Sequence, residues 1–119
     1  MATIVKRKLS CSTDGLAIKI SGNAAASAAT VHVAVAGTTA GTFDEIWLYG
    51  YNGHTDSVAL TIQFGGTASE NLIVSTLASK SGLLLLVPGW VLQNAKTVTA
   101  FAGTADVIAL SGFVNSITD

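Results

Sequence analysis

Glu45-Ile46-Trp47-Leu48-Tyr49-Gly50-Tyr51, then Asn52-Gly53-His54-Thr55-Asp56-Ser57, then Val58-Ala59-Leu60-Thr61-Ile62-Gln63-Phe64 is the stretch that decides the fold. Two extended segments flank a run of turn formers. Side chains alternate along a strand, so Ile46 and Leu48 point one way while Trp47, Tyr49 and Tyr51 point the other. An antiparallel strand in a small protein needs only one apolar face. Here both faces of the first segment are apolar, which asks for a second packed layer or for a partner.

Further strand signals lie on either side of this hairpin. Residues 3–10 alternate Ile4, Lys6 and Lys8 with Val5, Arg7 and Leu9, and residues 15–21 place Leu16, Ile18 and Ile20 on one face. Val31, Val33 and Val35 share a face in the next segment, and further strands are expected at 71–76, 82–87, 97–102 and 106–114. The alanine-rich stretch 24–29 has helical propensity but no amphipathic stripe, so it reads as a loop or a small-residue strand. Val87-Pro88-Gly89 reads as a turn, proline presetting φ and glycine taking a positive φ. The pattern predicts an all-β chain: a single-domain, antiparallel β-sandwich of jelly-roll-like form spanning 1–119, with about eight or nine strands. Residues 1–10 form either a basic N-terminal arm or the first strand.

The chain is poor in charge. Only 11% of its 119 residues are Asp, Glu, Lys or Arg, and the net charge is −1, against about 25% charged in an average protein. Size scaling gives a surface of about 6,000 Å² for this mass, over which thirteen charges are thinly spread. Soluble monomers carry denser charge, so the composition points to a surface that meets other protein. The 25 Ser and Thr residues offer an alternative route to solubility. Lys6, Arg7 and Lys8 gather at the N-terminal end, while six of the seven acids lie from Asp44 onward. Three adjacent cations are few for nucleic acid and fit an acidic protein surface better. Cys11 is the single cysteine, so no intrachain disulfide forms. Residues 1–8 lack a signal-like apolar run, and the apolar run 82–89 is far shorter than a membrane span. A protein made in the cytoplasm is the expectation, with no membrane or nucleic-acid partner.

No residue cluster announces chemistry. His54, Asp56 and Ser57 fall within one short turn, where a triad draws its members from separate elements; they read as turn formers bonding local backbone. His54 with Asp56 supplies too few ligands for structural zinc, and His32 reads as a surface or subunit-contact residue. Asp44 and Glu45 point to opposite faces, Asp44 ending the preceding loop and Glu45 heading the aromatic row. No phosphate loop, Rossmann fingerprint or nucleophile elbow occurs. The expectation is a protein that is not an enzyme, with no metal and no cofactor. Trp47, Tyr49, Tyr51 and Trp90 suit a protein interface; a sugar platform is the alternative use of the same rings.

Asp44 to Tyr49, Val58 to Thr67, Leu85-Leu86-Val87-Pro88-Gly89, Ala100-Phe101-Ala102 and Gly112-Phe113-Val114-Asn115 together resemble small structural proteins of tailed bacteriophages, of the capsid decoration (cement) type. The likeness spans residues 6–117 and is one of texture and short motifs. It implies a β-sandwich that decorates the head and bridges neighbouring major capsid proteins from outside, as a homo-oligomer with a trimer favoured, located in the virion. A neck, tail or fibre-base module of the virion is the alternative, and a carbohydrate-binding module stands outside that class. The expected protein contacts are Lys6, Arg7, Lys8, Trp47, Tyr49, Tyr51 and Trp90.

Overall fold

Nine strands make up most of the computed structural model, which describes residues 2–119: β1 (Thr3–Lys8), β2 (Ile18–Ile20), β3 (Ala29–Val33), β4 (Phe43–Asn52), β5 (Val58–Phe64), β6 (Leu72–Leu77), β7 (Leu84–Leu92), β8 (Thr97–Ala102) and β9 (Ile108–Thr118). The first sheet places β1 and β2 end to end along one side of β9, followed by β4 and then β7. The second sheet runs β3, β8, β5, β6. Every pairing is antiparallel.

The pairings are nested. β5 pairs with β6, β4 with β7, β3 with β8, and β1 with β2 pair with β9. The chain is thus one long hairpin with its tip at residues 65–71, rolled up until β4 also meets β9 and β5 also meets β8. This is the jelly-roll form of the antiparallel sandwich.

The core follows from alternation. Ile46 and Leu48 of β4 face Leu60 and Ile62 of β5, with Val98, Ala100, Ile108, Leu110 and Val114 closing the layer. Each fully buried Leu or Ile contributes about 2 kcal/mol by leaving water. The total exposed surface is 6073 Å², so the low charge density read from composition holds for the folded chain.

Several local expectations are corrected. Pro88 and Gly89 lie inside β7, not in a turn. The β4–β7 register slips before the Trp47–Pro88 pair and again after Leu48–Val87, and Gly89 takes φ +84°. β7 is an edge strand with a register slip at Pro88, and both settings tolerate the missing proline N–H. In β3 the register slips between Thr30 and His32, so Val31 and His32 are both buried while Val33 is exposed. The shared Val31/Val33/Val35 face does not form. Leu16 precedes β2 and is 66% exposed. Residues 25–27 form a 3₁₀ turn leading into β3. The basic segment is a strand rather than an arm, and all six residues of β1 are exposed; Met1 lies outside the described residues.

Candidate functional site

On the outer face of the first sheet, β4 presents Phe43, Glu45, Trp47, Tyr49 and Tyr51, while Asp44, Ile46, Leu48, Gly50 and Asn52 point inward and are buried. Among the described residues no element lies across this outer face. Trp47 is held there from several directions. Its Nε1–H donates to Glu45 Oε1 at 2.8 Å, and Asn115 Nδ2 donates to the same oxygen at 3.0 Å. Its ring runs nearly parallel to that of Phe113, at 10° with centroids 6.1 Å apart. Lys6 Nζ stands 4.2 Å from the Phe113 centroid, approaching from the β1 side while Trp47 approaches from β4. A Cβ on Gly89 would lie only 3.0 Å from Cζ2 of Trp47, so glycine lets the indole rest against β7. The indole N–H, and after it the Asn115 amide, hold the Glu45 carboxyl below its ordinary value of 4.5.

The result is a braced ridge that runs across four strands, β1, β9, β4 and β7. Lys6 stands over the Phe113 ring, and Trp47 runs parallel to that ring while resting against Gly89. The two charged groups of the ridge, Lys6 and Glu45, are engaged within it. Tyr49 and Tyr51 continue the row along β4. Val91 sits in register with Glu45, and Leu85 with Tyr49; these two are 46% and 50% exposed. The surface is largely apolar and aromatic, which suits a protein interface.

The seven expected contact residues divide. Lys6, Trp47, Tyr49 and Tyr51 come together on this face. Arg7 pairs in register with buried Val114 and so points to the opposite side of the sheet. Lys8 Nζ donates to the Ser12 carbonyl at 2.8 Å. Trp90 pairs in register with Ile46 and stacks on buried Phe64 at 4.3 Å and 5°. It closes the β7 edge of the sandwich and does not join the aromatic row.

A polar cluster missed by the sequence reading lies on the inner side, at the open end. His32 Nε2 donates to Asp44 Oδ2 at 2.8 Å, and Nδ1 accepts the Ser10 amide at 2.9 Å. The Val35 amide also donates to Oδ2, at 3.2 Å, and Ser116 Oγ donates to Oδ1 at 2.7 Å. His32 and Asp44 are 4% and 3% exposed, against the expectation of a surface histidine and a loop aspartate. Since Nδ1 accepts, the imidazole proton sits on Nε2. The carboxylate stands between the hydroxyl and the imidazole, so His32 does not reach Ser116 as a base; the cluster pins β3, β4, β9 and the segment after β1 together. One signal was available. Asp44 shares the parity of Ile46 and Leu48, and an acid on a core face requires a buried donor. Over this cluster opens a groove of about 540 Å³ lined by Arg7, Lys8, Ser10, Val33 and Thr118 among others.

In the 52–57 turn, Asn52 Nδ2 donates to the Asp56 and Leu77 carbonyls at 2.9 and 2.8 Å, and its Oδ1 accepts the His54 amide at 2.8 Å. This is turn chemistry, as expected, with His54 Nε2 and Asp56 Oδ2 3.9 Å apart. Among the described residues no three His, Cys, Asp or Glu side chains converge as metal ligands. No family model matches the chain, and no curated protein or solved structure matches it.

Proposed function

We propose that the chain is a non-enzymatic virion protein of a tailed phage that decorates and stabilises the capsid by bridging neighbouring major capsid proteins. The observation that carries this reading is the uncovered, internally braced aromatic face of the first sheet. Burying such a face against protein gains about 25 cal/mol per Å² of apolar surface, and a standard interface takes about 800 Å² from each partner. The thin charge of the whole surface supports assembly. The jelly roll is compatible with the role but hosts many functions, so the argument rests on the face and not on the fold. A homo-oligomer is part of the proposal, with a trimer as its favoured form, because bridging is strengthened when several copies engage at once.

The direct test is to strip purified phage heads and ask whether the protein leaves with the outer layer and rebinds. Hundreds of copies per head are expected; absence from the head would sink the reading. A copy number of about a dozen or fewer would move the protein to the neck, tail or fibre base. The sugar-platform reading draws less support, because stacking on a pyranose needs an open ring face. Of the candidate rings, Trp90 is stacked on Phe64, and Trp47 lies against Phe113 and Gly89.

A further inference from the structure

We infer that the groove beside β1 is a docking site for an extended acidic segment of a partner protein, with Arg7 as the residue that selects it. This deepens the assembly reading and rests on it, because a bridging protein needs a second surface besides the aromatic face.

The groove exists because the two sheets differ in length. β9 runs eleven residues and β4 ten, whereas β3 stops after five at Val33. The second layer therefore ends before it covers the inner side of β1. The floor there is formed by Arg7, Asp44, Ser116 and Thr118, and the wall by Val33 and Val35. At about 540 Å³ the groove has the size of a ligand cleft. It lies beside β1, an edge strand of the first sheet, and an open strand edge suits extended chain.

Its charge selects the occupant. Of the three adjacent cations, Lys6 is committed to the Phe113 ring and Lys8 to the Ser12 carbonyl. Arg7 has neither an ion pair nor a hydrogen bond among the described residues. The carboxylate on the floor, Asp44, makes no ion pair with Arg7 and bonds instead to His32, Val35 and Ser116. An unengaged guanidinium facing a polar cleft matches a carboxylate, which it binds with two parallel bonds. A second copy of this chain is a poor occupant: no two of its acids stand two residues apart, the spacing that puts them on one face of an extended segment. A nucleic acid would require a stripe of cations, and one guanidinium is free.

The test uses the whole protein and a fluorescein-labelled, N-acetylated, C-amidated peptide of alternating aspartate and valine, followed by fluorescence anisotropy. Binding is expected, weaker by at least about tenfold for the matched asparagine–valine peptide. Arg7→Glu should abolish binding, Arg7→Lys should restore part of it, and Trp47→Ala should leave it unchanged. Arg7 is exposed on an edge strand, so the thermal midpoint of Arg7→Glu should match that of the parent protein. Equal binding of the two peptides, unaltered binding by Arg7→Glu, or displacement by inorganic phosphate as readily as by the unlabelled acidic peptide would overturn the assignment. The two readings fail separately, because peptide binding is measured on the isolated protein and head association on the particle.

Discussion

Along β4 the outward positions are Phe43, Glu45, Trp47, Tyr49 and Tyr51; on the opposite side of the sandwich, β5 and β8 present Ala59, Thr61, Thr97, Thr99 and Phe101. Thr30 and Thr76 extend the second set across its neighbouring strands. Both surfaces keep the β-branched or aromatic residues that strands favour. A threonine face carries its own hydroxyls to water and is complete without a partner. An aromatic face presents ring edges and aliphatic carbon, and gains by being covered. The two explanations of the sparse charge, assembly and hydroxyl-based solubility, thus each describe one side of the same molecule.

The comparison is tested most severely at the backbone. A Cβ on Gly112 would collide with the Trp47 carbonyl oxygen, at a φ of +153°. Gly112→Ala should lower unfolding free energy by about 3 kcal/mol or more in urea denaturation. Thr99→Ala, which removes the 2.7 Å bond to Gln63 on the other face, should cost about 1 kcal/mol. Equal losses would mean that the aromatic face is no more tightly determined than the threonine one.

Next in size is Trp47→Ala, expected to cost about 2 kcal/mol as a half-buried aromatic and to abolish self-association by sedimentation velocity. Phe101→Ala should leave the oligomer intact. If Phe101→Ala dissociates it and Trp47→Ala does not, the faces have been assigned the wrong way round. Gly89→Ala should cost about 1 kcal/mol through its positive φ and change the near-ultraviolet circular dichroism of Trp47 by displacing its ring.

The smallest effect is titration of Glu45. Its folded value is lowered, so the bonds to Trp47 and Asn115 stabilise the fold fully above the ordinary value of 4.5 and fade as the pH falls through the lowered one. In a Trp90→Phe background, Trp47 fluorescence should titrate with a midpoint below 4.5, and Glu45→Gln should remove that titration. A midpoint above it would show that the carboxylate is not held by the ridge.

Much of this was legible because alternation is a strong signal. The strand at Thr97–Ala102 and the inward Ile46 and Leu48 follow from side-chain period alone. Bulges were not legible. The slip between Thr30 and His32 inverts the parity of β3, and nothing in Val31-His32-Val33 marks it. Pro88-Gly89 carries the same chemistry in a turn and in a bulged edge strand. Cross-strand partners were hidden for a different reason: Lys6 finds Phe113, and Asp44 finds Ser116, across more than seventy residues. The segment Lys6-Arg7-Lys8 looked like one basic unit, yet the pleat sends its neighbours to opposite sides.

The nesting of strands has a consequence in time. The ridge takes Trp47 from β4, Gly89 from β7 and Phe113 from β9, and β1 finds its place only along β9. A growing chain therefore holds no finished aromatic face until residues 108–118 have been synthesised, and closing such distant pairs is slow. The aromatic face is thus the last to be assembled, so an intact ridge reports a completed fold.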